Sequence, residues 1–269
     1  MGKLLAQAGV PILFLAARRI GKARQAVRFV GKGRAVTLDS PQASAAPIIL
    51  LTTSDSALAG VAEFLARSAG RARWTGKVVL HTCGSIPSSI LVPLKRRGAA
   101  IGSLHPFQTV PSPAAGFRNL RGGFWAIEGD AKARRAAGEL VKTLQGVAFR
   151  IRPGEKTLYH LAAFLVSPTT VTLMERSTRL LKKAGVPRKI APLMLARFVG
   201  ETTRNFAELG ARRALTGPAV RGDWQTLERH IQALRKAAPD LLPVYAALLR
   251  AMLRLARRRL PHSLRKALC

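Results

Sequence analysis

The sequence predicts an α/β protein: an open parallel sheet over residues 1–153, then an all-helical region over residues 154–269. Two observations carry this expectation. Short apolar runs alternate with amphipathic stretches as far as Ile151, the pattern of a doubly wound sheet with right-handed crossovers. Beyond the break at Arg152-Pro153-Gly154 the strand signals stop, and only apolar spacing near 3.6 residues remains.

Taken in order, residues 11–15 (Pro-Ile-Leu-Phe-Leu) form a continuous apolar run of the kind found in buried parallel strands. A basic helix follows at 18–30, and a minor strand at 35–38. Residues 47–53 (Pro-Ile-Ile-Leu-Leu-Thr-Thr) are the clearest strand in the chain. Asp55 stands at an N-cap position before the apolar series Leu58, Val61, Phe64 and Leu65. Further strands are expected at 78–80, 99–104, 124–127 and 147–151, with helices at 86–95 and 131–144 between them. Four helices follow at 159–181, 190–209, 224–237 and 241–258. Pro168 lacks an N–H and predicts a kink in the first of these.

Composition removes several classes. With 45 Lys+Arg against 13 Asp+Glu, the formal charge is +32, yet 48% of the residues are hydrophobic, which excludes a disordered basic tail. Two cysteines, Cys83 and Cys269, make neither a disulfide scaffold nor a four-ligand zinc site, and point to a reducing, cytoplasmic setting. The five histidines show no metal-ligand spacing, so no metal centre is expected. Residues 4–17 resemble a signal peptide only superficially, since Gln7, Gly9 and Pro11 interrupt them. The uncharged stretch 157–174 contains His160, Ser167, Pro168 and four threonines, which hydrocarbon disfavours; it reads as a core helix, not an integral membrane segment.

The chemistry gathers where strands end, because open parallel sheets bind ligands beyond the carboxyl ends of their strands. Those ends read Thr52-Thr53-Ser54-Asp55, His81-Thr82-Cys83-Gly84-Ser85 and Ser103-Leu104-His105-Pro106. Three neighbouring strands thus deliver hydroxyls, a thiol and two imidazoles toward one rim, and Gly84 lets backbone approach a ligand. Each residue also has a plain structural reading, as a cap, a turn or a satisfied histidine.

Ser103-Leu-His-Pro-Phe-Gln-Thr109, Leu158-Tyr-His160, Ala214-Leu-Thr-Gly-Pro218 and Arg221-Gly-Asp223 together resemble a group of bacterial oxidoreductase-like proteins. That group joins a Rossmann-like domain to a helical domain of unknown function. It is similar in plan to pyrroline-5-carboxylate reductase and the wider 6-phosphogluconate-dehydrogenase-like superfamily. The resemblance implies NAD(P) binding, hydride transfer to or from a small C=O or C=N substrate, and a homodimer joined through the helical domains. Cys83 stands where that group usually has Ser, and Pro168 where it has Asn.

A dinucleotide fold needs a strand, a glycine-rich turn and a helix in that order. Here Met1-Gly2-Lys3 resembles the tail of that fingerprint, with Gly2 as its last glycine, and the first strand is lacking. The expectation is that the true start lies upstream. The alternative is a cofactor-free structural or regulatory relative. Arg18 and Arg19, with no acid beside them, suit a 2′-phosphate and hence NADP, or else belong simply to a basic helix.

Candidate cofactor contacts are therefore Gly2, Arg18, Arg19, Thr53, Ser54, Asp55, His81, Cys83 and Gly84. Candidate catalytic groups are Ser103, His105 and His160, the imidazoles as acids or orienting groups. Tyr159, Thr216 and Arg221 are candidate substrate contacts, Arg221 through bidentate binding of a carboxylate or phosphate. A rival of another class is polyanion binding, to nucleic acid or an acidic membrane. It rests on the overall charge and on residues 250–266, which carry Arg254, Arg257, Arg258, Arg259 and Arg265 besides Arg250 and no acid, with Leu249, Leu253, Ala256 and Leu260 on one apolar helix face. No nucleic-acid module and no aromatic interleaving accompany it.

Overall fold

The computed structural model describes residues 1–68 and 74–267; Cys269 lies outside them. Two compact units divide the chain, Met1–Ser167 and Pro168–Cys269. Strand signals end near residue 153, but the compact division falls later, inside a helix.

In the first unit the elements run α1 (Gly2–Gln7), β1 (Phe14–Ala17), α2 (Ile20–Val30), β2 (Arg34–Thr37), β3 (Ile48–Leu51), α3 (Asp55–Ser68) and β4 (Val78–His81). They continue with α4 (Val92–Lys95), β5 (Ala100–Pro106), α5 (Pro113–Asn119), β6 (Phe124–Gly129), α6 (Ala131–Thr143) and β7 (Val147–Arg150). The helix α7 (Lys156–Lys183) begins here and ends in the second unit. The helix expected at 86–95 is a 3₁₀ turn, Ser88–Leu91, running into α4. Pro93 helps explain this, since a proline is accommodated only in a first turn.

The sheet comes in two pieces, β1-β2 and β3-β4-β5-β6-β7. Every pairing is parallel except β5 with β6, so the all-parallel expectation is corrected at that point. The β5–β6 connection, which carries the short α5, returns the chain antiparallel, a pairing that needs no crossover helix. Alternation on β4 shows how the larger piece is buried. Val79 joins a core with Leu58, Leu65, Leu91 and Ile101, whereas Val78 and Leu80 join another with Leu5, Leu104, Trp125 and Val141. Side chains of opposite parity leave opposite faces of a strand, so both faces are covered.

The second unit holds α8 (Ala191–Ala214, kinked at Gly210), α9 (Pro218–Arg221), α10 (Trp224–Ala237), α11 (Leu242–Leu255) and α12 (His262–Ala267). Asp223 caps α10 by accepting from the Thr226 N–H at 3.1 Å. Its core is Leu227, Ile231, Leu249, Leu253 and Leu264. This corrects the surface-helix expectation at the C-terminus: α11 ends at Leu255, and Leu249 and Leu253 are already spent on the core.

A second correction concerns residues 157–174. The helix runs through Pro168, but it is not a core helix: Leu158, Leu165 and Val166 are 62%, 61% and 67% exposed. An apolar sequence states that surface wants covering, not that the same chain covers it. By length and composition alone this helix, Pro153–Lys183, could also cross a membrane.

Gly129 tests the β5–β6 corner. Its φ is 117°, and a Cβ there would lie 2.4 Å from the Ile101 carbonyl oxygen. Gly129→Ala should therefore lower stability by about 2–3 kcal/mol, read as a lower urea midpoint with an unchanged slope. Gly60→Ala, on α3 with open space around it, should not.

Candidate functional site

Strand register assembles the first row of the site. His81 on β4 pairs with Ser103 on β5, and Ser103 pairs with Glu128 on β6, so three polar residues stand abreast on one sheet face. All three are buried. The first turn of α7 adds Lys156, whose side chain is 1% exposed. Its Nζ donates to the Cys83 carbonyl oxygen at 2.7 Å and to Ser103 Oγ at 2.8 Å, and lies 3.7 Å from Glu128 Oε1. The Glu128 carboxylate in turn accepts from the Ser88 N–H and the Ser88 hydroxyl, both at 2.7 Å. Burial lowers the Lys156 pKa, and the facing Glu128 carboxylate opposes that shift.

One row toward the carboxyl end of β5 stands His105, whose Nδ1 lies 2.8 Å from the Tyr159 hydroxyl. Phe107 and Phe149 pack around the Tyr159 ring. Burial, then the positive charge of Lys156, push the His105 pKa down to about 4. The same two causes in the same order hold His81 down to about 3. Burial raises Tyr159 to about 12. Near neutral pH the dyad is therefore an uncharged imidazole against an intact phenol.

The loop leaving β4 passes directly beneath. A Cβ on Gly84 would lie 2.7 Å from His105 Nε2 and 3.0 Å from His160 Cδ2, so only glycine fits between the two rings. His81 Nδ1 accepts from the Cys83 N–H at 3.2 Å, which places the neutral ring's proton on Nε2. Ser85 links this loop to Asp55 at the start of α3 (3.5 Å).

The expected residues thus fall into three groups. His81, Cys83, Gly84, Ser103, His105, Tyr159 and His160 form one cluster, tied through Ser85 to Asp55. Gly2, Arg18, Thr53 and Ser54 line a separate hollow of about 570 Å³ between β1 and β3, and Arg19 is exposed just before α2. Thr216 and Arg221 belong to the second unit, exposed beside and within α9. Sequence reasoning missed Glu128, Ser88 and Lys156. Glu128 did carry a signal, an acid inside the apolar strand Phe-Trp-Ala-Ile-Glu-Gly. Lys156 carried none among 45 basic residues.

The NADP expected from the sequence can be set against this geometry. The hollow is lined by one guanidinium, Arg18, and three hydroxyl side chains, Thr52, Thr53 and Ser54, which suit a phosphorylated ribose. On the side of the pyrophosphate the hollow is lined by Met1 and Gly2, where α1 starts. The residues present fit one end of the dinucleotide.

The buried imidazoles fix a pH dependence. Unfolded, both titrate near about 6.5; folded, they stay neutral to about 4 for His105 and about 3 for His81. Between these limits the unfolded chain binds more protons, so stability is full above about 6.5 and is lost as pH falls. The thermal midpoint should drop from pH 6.5 to 4, and His81→Gln should flatten that slope. A wild-type midpoint constant across the window would contradict the buried neutral pair.

Comparison with known proteins agrees with the architecture. Residues 1–106 match a family model described as a Rossmann-like domain, and residues 123–252 match a domain of unknown function, DUF2520. No curated protein matches the sequence. Among solved structures, protein TM1727 from Thermotoga maritima is 21% identical with a TM-score of 0.74, covering 95% of this chain and 94% of that one. BF3122 from Bacteroides fragilis, provisionally described as an NADP oxidoreductase, is 23% identical with a TM-score of 0.72, over 93% and 92%. Pyrroline-5-carboxylate reductase from Coxiella burnetii is 16% identical with a TM-score of 0.58, over 96% and 94%. At these identities the likeness is one of fold. The two adjoining matches nonetheless agree with the strand-to-helix order, a Rossmann-like domain followed by a DUF2520 domain.

Proposed function

We propose that this protein is an NADP-dependent oxidoreductase acting on a small C=N or C=O substrate, with Tyr159 and His105 handling the proton at the substrate heteroatom. The observation that carries the reading is the uncharged His105–Tyr159 pair, 2.8 Å apart, beside a buried lysine. A bound nicotinamide would supply the hydride to the substrate carbon. This chain's residues do the rest. With His105 Nδ1–H donating to Tyr159 Oη, the phenol proton is free to point at the substrate nitrogen or oxygen, where negative charge develops. Phe107 and Phe149 pack against the Tyr159 ring and hold it in place, and Gly84 leaves room for close approach. The resemblance in fold to a pyrroline-5-carboxylate reductase favours a cyclic imine. Arg18 and Arg19 favour NADP over NAD. The buried free thiol of Cys83 suits a reducing, cytoplasmic compartment.

Tyr159→Phe keeps the ring and removes the proton. It should lower kcat for NADPH-dependent reduction of 1-pyrroline or a small ketone by about 10²-fold or more, with KM little changed. Full activity in Tyr159→Phe would overturn the assignment of the proton donor. A wild type that binds no NADPH but binds nucleic acid with steep salt dependence would replace the enzyme reading by the polyanion one. A wild type that binds neither would favour a cofactor-free relative.

The exposed apolar residues of α7 and α8 support a homodimer. Val171, Leu193, Phe198 and Phe206 are each at least 60% exposed in the second unit. A second copy is favoured over a bilayer because His160, Ser167 and several threonines interrupt the stretch. Sedimentation should give a dimer, and Phe198→Asp together with Leu193→Asp a monomer. A monomeric wild type, or one that partitions into vesicles, would overturn this.

A further inference from the structure

The second unit carries a hollow of its own, of about 210 Å³, where the carboxyl-terminal half of α7 meets the link from α10 to α11. Its wall on α7 is cationic. Arg176, Arg179 and Lys183 follow one another at three and four residues, so they share one helix face around Leu180. The facing wall is the 237–241 link, whose acid is Asp240. Three cations against one acid leave the lining two positive charges in excess.

The partners of these cations leave them open to a further anion. Arg176, its side chain only 23% exposed, pairs with Asp240, which is 65% exposed. Arg179 pairs with Glu175 one turn back on the same helix, with both side chains largely in water. Such exposed pairs are weak and readily exchanged. Lys183 donates to the carbonyl of Ala237, the last residue of α10, which is a neutral acceptor.

We propose that this hollow binds a phosphate monoester on a short carbon stem, with the phosphate held by Arg176, Arg179 and Lys183. The proposal is independent of the reductase reading, and none of these residues belongs to the first unit.

Three features select that ligand. A phosphate monoester carries a charge of about −1.5 to −2 near pH 7, which matches the excess in the lining, whereas one carboxylate leaves part of it unanswered. Guanidinium forks grip phosphate oxygens in pairs, and the lysine adds a point charge. Arg176 already holds a carboxylate from Asp240, which marks where an anion sits; Asp240, mostly in water, can turn away when the ligand enters. Size sets the remainder of the molecule. Pockets for drug-sized ligands run to about 300–1,000 Å³, so this smaller hollow admits a few carbons beside Leu180 and Leu241 and no nucleotide.

The test is calorimetric titration of the full chain with glycerol 3-phosphate at physiological salt, where a diffuse surface field is screened over about 8 Å. Inorganic phosphate and glycerol probe the head and the stem separately. Glycerol 3-phosphate should bind saturably, inorganic phosphate about three-fold or more weakly, and glycerol alone not at all. Arg179→Gln together with Lys183→Gln should weaken the ester about ten-fold or more. Arg18→Gln together with Arg19→Gln removes the same charge from the first unit and should change affinity less than about two-fold. All four side chains are exposed, so neither double variant should shift the unliganded thermal midpoint. Asp240→Asn removes the competing carboxylate and should tighten binding about three-fold or more, which loss of a merely structural ion pair would not do. No saturable binding, equal loss in the two double variants, or loss only in the Arg18 and Arg19 pair would overturn the proposal. So would an Asp240→Asn chain that binds no more tightly than wild type. Inorganic phosphate bound as tightly as the ester would overturn the assignment of the stem.

Discussion

The first unit is organised around one buried cation. Taking an ammonium group out of water costs several kcal/mol even after relaxation, so Lys156 persists only because its surroundings answer it. The Cys83 carbonyl and the Ser103 hydroxyl accept from it, and the Glu128 carboxylate balances its charge. Those partners come from the loop after β4, from β5 and from β6. The start of α7 is therefore fastened to three consecutive parts of the sheet by a group that cannot leave without stranding Glu128. Ser88 shares the task, because its two hydrogen bonds keep the carboxylate satisfied on its other side.

That cation also sets the chemistry above it. Burial first, and then the positive charge of Lys156 beside them, disfavours protonation of the two imidazoles, so His81 and His105 stay neutral where an exposed histidine would titrate. Neutral His105 can receive a hydrogen bond from Tyr159 or give one, whereas a charged ring could only give. Of the two roles available to the dyad, relaying the phenol's proton requires this neutrality, whereas orienting the phenol needs only a donating Nδ1–H. One buried pair thus serves packing and proton chemistry together.

Much of this plan was legible in the sequence. The strand ends at residues 52–55, 81–85 and 103–106 stood out because hydroxyls, a thiol and imidazoles interrupt apolar runs, and most of those residues do meet. What was not legible follows from physics that pattern reading ignores. Lys156 looks like any other lysine until register places Ser103 and Glu128 beneath it. Period-two alternation finds a strand but not the direction of its neighbour, so the antiparallel return of β6 was missed. Residues 157–174 are apolar enough for a core, yet apolarity cannot say which molecule provides the cover.

The chain's net charge of +32 and its site obey different rules. Among the described residues only Glu128 and Lys156 are charged and buried, and they cancel. The excess therefore lies at the surface, where ions screen it over about 8 Å at physiological salt. Such a field attracts any polyanion, a phosphorylated cofactor included, and raises encounter rates without choosing among ligands. Selectivity has to come from fixed groups in fixed places. Arg18, Thr53 and Ser54 in the hollow between β1 and β3 are one such set, and the His105–Tyr159 pair is another. The segment from Asp55 to Ser85 connects them, since the Ser85 hydroxyl reaches the Asp55 carboxylate at the start of α3.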